Sequence, residues 1–270
     1  MDKNILMVAI RAAIEAGAKI MSVYTDPDAD FEIEKKADNS PLTIADKKSH
    51  ETISGILSGT DIPILSEEGK KIPYETRREW NELWIVDPLD GTKEFIKKNG
   101  EFTVNIAYVK DGIPQAGVIY IPVREELYIG DCEYGAFKLE NIKSISEEEE
   151  EDFHSLISRA SKLPVNEERK DFVVVASRSH FSAETEEFIE KMKGLHKSIE
   201  TISKGSSLKL CLIAEGKADI YPRFAPTMEW DTAAGHAIIK AAGKEVYHTD
   251  EITPLTYNKE DLLNPWFIAK

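Results

Sequence analysis

Two apolar segments joined by a tight-turn dipeptide narrow the range of folds that this chain can adopt. Between residues 102 and 108 apolar residues alternate with polar or small ones, and a second apolar segment, 116–121, follows the dipeptide Asp111-Gly112. Successive side chains of a strand point to opposite faces, so the pattern predicts a strand, a turn and a second strand. We therefore expect an antiparallel sheet in this part of the chain.

Apolar residues at helical spacing precede this hairpin in the chain. Apolar residues recur at helical intervals over residues 1–24, which predicts an amphipathic helix. A second helix is predicted from near Ile44 to about Leu57, ending at Gly59. The strands predicted besides the hairpin in this half lie at 84–86, 127–129 and 136–139. The first half is thus expected to be α+β, with helices packed against a largely antiparallel sheet.

The composition changes between residues 140 and 170. Six consecutive acidic residues follow Ser146 and end at Asp152, and we interpret them as a solvated linker or helix face, because clustered like charges repel each other. The elements predicted beyond them are a strand at 173–176, a helix at 183–193 capped by Ser182, a helix at 206–215 closed by Gly216, a strand at 218–221 and a helix from Asp231 to Gly243. This alternation favours an α/β domain. We predict an N-terminal domain, 1–145, and a C-terminal domain, 146–270.

The charge balance limits the classes of partner. Acidic side chains number 49 against 34 basic ones, a formal net charge of −15. This negative field opposes binding to nucleic-acid polymers and to anionic lipid. An anionic substrate would need local basic groups or bound metal ions to offset it.

Cysteine usage and hydropathy indicate a cellular compartment. The two cysteines, Cys132 and Cys211, are far apart and form no CxxC motif, which favours a reducing environment. No apolar run approaches the roughly 20 residues needed to span a bilayer. The sequence also contains no GxxxxGK[ST], HExxH or GxSxG motif. We expect a soluble cytoplasmic protein without a transmembrane segment.

Acidic residues cluster at three points where predicted elements begin or end. Glu67-Glu68 follows the apolar segment 62–65, the run Asp87–Thr92 ends the strand at 84–86, and Asp231 begins the last long helix. Carboxylates and backbone carbonyls are the ligands that Mg²⁺ prefers. Two such ions about 4 Å apart can hold a phosphoryl group and activate a water molecule.

The run Asp87–Thr92 suits such a site, although each acidic cluster alone has a simpler explanation. Pro88 and Gly91 permit a tight turn that brings two carboxylates and the Leu89 carbonyl onto one small volume. Taken singly, the run could be a structural turn, Asp231 a helix N-cap and the glutamate pair surface charge. Their joint occurrence favours a metal site.

Two of these segments resemble the signatures of a known superfamily. Asp87–Phe95 resembles the first signature of the inositol monophosphatase superfamily, and Trp230–Gly243 resembles the second, while Glu67-Glu68 stands where the superfamily has its metal-binding glutamate. Within it, the chain resembles the CysQ type, the 3'(2'),5'-bisphosphate nucleotidases. Further similar segments are Lys36–Pro41, Ser177–His180, Gly205–Lys209, Tyr221–Phe224 and Leu263–Pro265. The resemblance covers nearly the whole chain and implies a layered αβαβα sandwich that combines α/β and α+β parts.

The resemblance also implies a set of site residues. Mg²⁺ ligation falls to Glu67, Asp87, Asp90, Asp231 and the carbonyl of Leu89. Asp46 and Thr92 would orient and deprotonate a water molecule, with Glu68 as a candidate further base. By the same resemblance, backbone amides of Gly91 and Thr92 would hold phosphate oxygens. The metal ligands Glu67, Leu89, Asp90 and Asp231 would also border the substrate.

Contacts to a nucleotide are implied farther along the chain. By resemblance, Ser206, Ser207 and Lys209 would contact the second phosphate or the ribose, with Arg178, His180 and Arg223 lining the pocket. For Ser206 the alternative is a helix N-cap, and for His180 and Arg223 it is an ordinary polar surface contact. These local cations would offset the negative field of the protein near an anionic substrate.

The expected activity is Mg²⁺-dependent removal of the 3'-phosphate from adenosine 3',5'-bisphosphate, giving AMP and phosphate. By resemblance this reaction belongs to sulfate assimilation, 3'-phosphoadenylyl sulfate is a side substrate, two or three Mg²⁺ ions bind and Li⁺ inhibits. One alternative is an inositol monophosphatase or related sugar phosphatase with the same metal site, and another is a noncatalytic nucleotide or metal sensor. A monomer or a homodimer is expected, and some relatives of this type are assigned to the cytoplasmic face of the inner membrane.

Overall fold

A seven-stranded sheet lies at the centre of the molecule. The computed structural model describes residues 2–36, 40–146, 153–165, 169–177 and 182–270. Within these ranges the helices are α1 (Lys3–Tyr24), α2 (Ile44–Leu57), α3 (Tyr74–Arg77), α4 (Thr92–Ile96), α5 (Phe153–Ser158), α6 (Ala183–Leu195), α7 (Leu208–Glu215) and α8 (Glu229–Ala241), with a 3₁₀ turn at Ser58–Thr60. The strands are β1 (Glu34–Lys35), β2 (Pro41–Leu42), β3 (Ile64–Ser66), β4 (Glu82–Asp90), β5 (Thr103–Lys110), β6 (Ile113–Ile121), β7 (Glu126–Asp131), β8 (Gly135–Leu139), β9 (Ser161–Leu163), β10 (Phe172–Ser177), β11 (Ile199–Lys204), β12 (Tyr221–Arg223), β13 (Val246–His248) and β14 (Phe267–Ala269).

The central sheet has its strands in chain order from β3 to β9. β3 runs parallel to β4, and the remaining neighbours are antiparallel. The predicted hairpin is confirmed as β5 and β6, which are joined through Asp111 and Gly112, both with positive φ. β9 adds to this sheet a strand from beyond residue 146, while the division into two domains stays a prediction. The acidic run 147–152 lies outside the described residues.

β4 extends farther than the sequence predicts. The predicted strand stops at Val86, whereas β4 continues to Asp90. A register shift between Asp87 and Asp90 interrupts its pairing with β5, and Pro88 lies within that irregular stretch. Proline lacks the N–H that a regular ladder uses, and a bulge tolerates its absence. The strand therefore resumes its pairing after the proline and carries both aspartates.

Helices cover both faces of the central sheet. α1 and α2 pack on one face, where Trp84, Val86, Val104 and Ile106 join their apolar residues in one core cluster. α7 and α8 lie against the other face. Both faces of the sheet are therefore buried, and its middle strands carry apolar residues at consecutive positions, such as those of 83–86.

The second half supplies a further sheet layer and an outer helix. β10 pairs in parallel with β11, β14 lies between β12 and β13, and a bridge between Val174 and Ile220 connects the two groups. α6 packs on the outer side, where its Ile189 and Met192 contact Val174 and Ile220. The layers are thus helix, sheet, helix, sheet and helix, which confirms the expected αβαβα sandwich.

Three predicted element boundaries in this half are shifted. The strand predicted from residue 218 begins at Tyr221, because only an isolated bridge precedes it. α7 begins at Leu208 rather than at Ser206, whose φ of 49° is not helical. α8 begins at Glu229, so Asp231 is its third residue rather than its first. Among the described residues, no helix combines the length and apolar character that a membrane crossing requires.

Candidate active site

The predicted acidic ligands converge at one end of the central sheet. Asp87, Asp90 and Asp231 each offer a carboxylate oxygen, and these oxygens lie within 4.8 Å of one another. Glu67 is next to them because its N–H donates to the carbonyl of Val86 at 3.1 Å, which continues the pairing of β3 with β4. Residues from three separate segments of the chain thus form one carboxylate cluster.

Local backbone geometry positions the first two aspartates. The N–H of Leu89 donates to Oδ1 of Asp87 at 3.1 Å, which fixes that side chain within the irregular end of β4. Gly91 then reverses the chain into α4 with φ at +95°, and a Cβ there would lie 2.9 Å from the carbonyl oxygen of Glu101. Only glycine meets both demands of this turn.

The third aspartate is positioned by its helix. Oδ2 of Asp231 accepts from the N–H of Met228 at 2.8 Å, a capping interaction in the first turn of α8. The side chain therefore bonds the backbone of the N-cap residue and also takes part in the carboxylate cluster. The N-cap position itself belongs to Met228, so the interpretation of Asp231 as the N-cap is wrong.

The cluster carries more negative charge than the surrounding groups offset. Burial raises the pKa of Asp87 well above its usual value, and the carboxylates of Glu67 and Asp90 raise it further. Burial and then the charge of Asp90 raise the pKa of Asp231 to about 8. Buried oxygen donors that repel one another in this way are relieved by a hard divalent cation. The donor set therefore fits Mg²⁺.

Lys36 is a cation in contact with this end of the site. Its Nζ lies 2.7 Å from Oε1 of Glu67 and also forms an ion pair with Glu68. Burial raises the pKa of Glu68 to about 7, although the hydrogen bond from Lys36 lowers it. The glutamate predicted as a ligand and the one predicted as a base thus share one lysine.

Asp46 and Thr92 are hydrogen-bonded to each other, as their predicted partnership requires. The hydroxyl of Thr92 donates to Oδ1 of Asp46 at 3.0 Å. Oδ2 of Asp46 accepts from the backbone N–H of Thr43 at 2.7 Å, which completes a capping box at the start of α2. Burial raises the pKa of Asp46. One carboxylate oxygen is thus held by the helix start while the other holds Thr92.

A cleft of about 250 Å³ opens beside the carboxylate cluster. Both halves of the chain line it, and nine residues predicted from the sequence lie on its wall: Glu67, Asp90, Gly91, Thr92, Ser206, Ser207, Lys209, Arg223 and Asp231. Arg178 and His180, predicted to contact the nucleotide, lie outside the described residues. The cleft therefore brings together the candidate metal ligands and most of the predicted substrate contacts.

Two buried cations, Lys209 and Arg223, line the same cleft as these carboxylates. Nζ of Lys209 donates to the carbonyl of Ser206 at 2.5 Å, and burial lowers the pKa of this lysine to about 8. Arg223 donates from Nη2 to the carbonyl of Pro226 at 3.1 Å. In the part of the chain that the structure describes, Nε of Arg223 is buried and has no hydrogen-bond partner. These groups are suited to bind an anion.

Sequence comparison places the chain among known proteins. A model of the inositol monophosphatase family matches residues 1–266. The chain belongs to this family.

Two kinds of relative within the inositol monophosphatase family are informative. The chain is 45% identical to the 3'(2'),5'-bisphosphate nucleotidase CysQ of Escherichia coli K12, over 94% of this chain and 95% of that protein. It is also similar to the crystal structure of CysQ from Bacteroides thetaiotaomicron, with 57% identity, a TM-score of 0.91 and coverage of 98% and 96% of the two chains. An inositol monophosphatase from Anabaena is 26% identical with a TM-score of 0.68, over 98% and 89% of the chains. The resemblance to the CysQ type is therefore confirmed.

Several site residues of this family member were not found by sequence reasoning. Lys36 begins one of the segments that resemble the CysQ type, but its surroundings show no helical or strand periodicity and no site role was predicted for it. Thr43 could have been found, because the spacing Thr43-x-x-Asp46 matches a capping box. Thr103 and Asn105 occupy the polar positions of an alternating strand and resemble solvent-facing residues. They are buried because α7 and α8 cover that face of the sheet.

Proposed function

We propose that this chain is a Mg²⁺-dependent nucleotidase that hydrolyses the 3'-phosphate of adenosine 3',5'-bisphosphate, giving AMP and phosphate. The main support is the 45% identity with a 3'(2'),5'-bisphosphate nucleotidase over 94% of the chain. The aligned region is long enough to include both halves of the chain, and both halves line the cleft. The reaction would serve sulfate assimilation, and 3'-phosphoadenylyl sulfate would be a side substrate.

The proposed ion ligands are the side chains of Glu67, Asp87, Asp90 and Asp231 with the carbonyl of Leu89. Two or three Mg²⁺ ions, when bound, supply positive charge that polarises the phosphoryl oxygens and lowers the pKa of water. We also expect Li⁺ to inhibit the reaction. The raised pKa values of Asp87 and Asp231 support a cation at this position.

Thr92 and Asp46 are the proposed route for the proton of the attacking water. Since the Thr92 hydroxyl donates its own proton to Oδ1 of Asp46, its oxygen is oriented to accept a hydrogen bond from water. A proton that leaves water can therefore pass to Oγ1 of Thr92 as the Thr92 proton moves to Asp46. Backbone amides of Gly91 and Thr92 would hold the phosphate oxygens, and Glu68 is a further candidate base.

The second phosphate of the substrate is assigned to Lys209 and Arg223. Both are buried cations on the cleft wall, and charge-assisted hydrogen bonds to phosphate are stronger than neutral ones. A substrate with one phosphate has no second phosphate group for Lys209 and Arg223 to bind. The second half of the chain would therefore select substrates that carry two phosphate groups.

Phosphate release from adenosine 3',5'-bisphosphate, adenosine 3'-monophosphate and inositol 1-phosphate, each with Mg²⁺ and with a chelator, tests the proposal. We expect Mg²⁺-dependent turnover with the highest kcat/KM for the bisphosphate. In Arg223→Gln the advantage of the bisphosphate over the monophosphate should shrink. Preference for inositol 1-phosphate would overturn the substrate assignment, and nucleotide binding without phosphate release would overturn the enzymatic one.

A further inference from the structure

A chain of buried hydrogen bonds runs from the middle of the central sheet to a candidate metal ligand. Oγ1 of Thr103 donates to Oδ1 of Asn105 at 2.8 Å, and Nδ2 of Asn105 donates to Oγ of Ser207 at 2.9 Å. The Ser207 hydroxyl in turn donates to Oδ2 of Asp90 at 2.8 Å. Thr103, Asn105 and Ser207 are at most 2% exposed. Since Asn105 donates to Ser207, the hydroxyl proton is directed away from Asn105 and toward Asp90.

The Ser207 hydroxyl also contacts the other half of the carboxylate cluster. Its oxygen lies 3.1 Å from the main-chain carbonyl oxygen of Asp231. Asp90 ends a strand of the central sheet and Asp231 is in the first turn of α8. One hydroxyl therefore lies between two candidate ligands that come from distant parts of the chain.

Ser207 occupies the N-cap position of α7 without acting as a cap. Serine at this position usually accepts a hydrogen bond from its own helix, but within the described structure its side chain makes none. The side chain is directed at the carboxylate cluster instead.

Ser206 adds a second hydroxyl at the same carboxylate oxygen. Its Oγ donates to Oδ2 of Asp90 at 2.7 Å. The residue has a φ of +49°, a conformation that a serine adopts at a cost and that glycine adopts readily. Strained backbone that persists in a structure is often found at functional sites.

We propose that Asn105 and Ser207 are positioning residues that hold the carboxylate of Asp90 in place beside Asp231 for a divalent cation. In this role they act through Asp90, although Ser207 also lies on the cleft wall, and Ser206 supports them at Asp90. The inference rests on the proposed metal dependence. Partners of metal ligands typically change metal affinity by about 10-fold to 100-fold when they are removed.

Binding of Mn²⁺ to the substrate-free protein, followed by electron paramagnetic resonance, tests this directly. We expect Ser207→Ala and Asn105→Leu to weaken Mn²⁺ binding about 10-fold, and Ser207→Thr, which keeps the hydroxyl, to recover most of the affinity. Ser182→Ala is the matched control, since it removes a serine that does cap a helix, α6, and that is not one of the residues lining the cleft. The control should bind Mn²⁺ as the unaltered protein does.

The kinetic readout separates positioning from substrate contact. In Ser207→Ala the Mg²⁺ concentration for half-maximal activity should rise, while KM for the bisphosphate at saturating Mg²⁺ stays unchanged. A raised KM together with unchanged Mn²⁺ affinity would overturn the inference and return Ser207 to the substrate-binding role. If Ser207→Ala does not fold, Ser206→Gly gives a second variant, because it removes one donor to Asp90 and relieves the left-handed backbone. Unchanged Mn²⁺ affinity in that variant would count against the inference.

The result also separates this inference from the proposed function. An unaltered protein that binds no Mn²⁺ would overturn the metal dependence on which both rest. An unaltered protein that binds Mn²⁺, with Ser207→Ala and Asn105→Leu binding it equally well, overturns the positioning role alone. Mn²⁺ binding needs no substrate, so the choice between nucleotide and inositol phosphate does not affect the outcome.

Discussion

The hydroxyl of Thr92 lies 3.0 Å from Oδ1 of Asp46 and joins the first turn of α4 to the first turn of α2. α2 packs against the face of the central sheet on which α1 lies, whereas α4 begins directly after the turn that carries Asp90. The pair therefore connects the helix layer to the carboxylate cluster, and its geometry depends on how α2 sits on the sheet.

Removing the Thr92 hydroxyl should lower turnover while leaving the cation ligands in place. We expect Thr92→Val and Asp46→Asn each to reduce kcat by about 100-fold or more, because a positioned proton acceptor contributes on that scale. Thr92→Ser keeps the hydroxyl and is the control. Steady-state kinetics at saturating Mg²⁺, with Mn²⁺ binding measured in parallel, checks this. Near-normal kcat in Thr92→Val would contradict the proposed proton route.

Stabilisation by Mg²⁺ should grow with pH. In the metal-free protein the pKa of Asp231 is raised to about 8, so the folded state holds a proton that the unfolded state has lost. The corresponding stability is present at low pH and is lost as the pH rises from about 4 to about 8. Mg²⁺ competes with protons for the same oxygens and restores stability most where they have dissociated.

Thermal unfolding at pH 6 and pH 8, with EDTA and with Mg²⁺, measures this effect. The Mg²⁺-induced rise in Tm should be larger at the higher pH, and Asp231→Asn should show a smaller difference between the two pH values. Equal rises at both pH values would contradict the assignment of raised pKa values to the carboxylate cluster.

Close packing of α8 on the central sheet should make Gly117 intolerant of a side chain. A Cβ there would lie 2.3 Å from the carbonyl oxygen of Ala234. Gly117→Ala should destabilise the protein by about 1–3 kcal/mol through overpacking. It should also weaken Mn²⁺ binding, because a displaced α8 moves Asp231.

An exposed helical glycine supplies the control for this substitution. Apart from the neighbouring residues and the backbone of α2 itself, no heavy atom of the described residues lies within 4 Å of the Cβ that Gly55 would carry. Gly55→Ala should therefore stabilise the protein by about 0.5–1 kcal/mol. Denaturant unfolding gives the free energy of unfolding of Gly117→Ala and of Gly55→Ala. Similar values for the two variants would contradict the prediction, because they would show that α8 can shift to accept a side chain at residue 117.

The ion pair of Glu229 and Lys259 should contribute to stability through a buried charge. Glu229 is fully buried and accepts from Nζ of Lys259 at 2.5 Å and from the backbone N–H of Asn258 at 2.6 Å. Lys259→Met leaves the carboxylate without its cation and should cost about 3 kcal/mol. The double variant Glu229→Gln, Lys259→Met should recover part of this loss. Chemical denaturation gives the free energy of unfolding of the unaltered protein, the single variant and the double variant. An unchanged free energy of unfolding in Lys259→Met would contradict the prediction.

Local patterns predicted the elements whose sequence signal is strong. Helical spacing predicted a helix over 1–24, and α1 spans Lys3–Tyr24. Alternation and the Asp111-Gly112 turn predicted β5 and β6, because both signals depend on neighbours in the chain. Boundaries failed where one residue departs from its local pattern. Pro88 did not end β4, because a bulge accommodates it, and Ser206 did not begin α7, because its backbone is left-handed.

The amino-acid sequence specifies which chemical groups are available to the site. It contains carboxylates at turns that bring oxygen ligands together, and a Thr92 that follows the glycine turn into α4. It also determined the strands and helices, since periodicity and turn residues act over a few positions. The two signatures indicated the family, which the comparisons confirm, and they predicted a set of metal ligands. They could do so because each signature is a short run of neighbouring residues.

Which of these groups come into contact depends on the packing of the whole chain. The pairing of Lys36 with Glu67 and the path from Asn105 through Ser207 to Asp90 join residues that no local pattern connects. Asn105 alternates with apolar residues as a solvent-facing residue would, and it is buried because α7 and α8 cover that face of the sheet. Burial and long-range contact arise when the layers pack to remove apolar surface from water. The position of each polar side chain between those layers is therefore a property of the packed molecule.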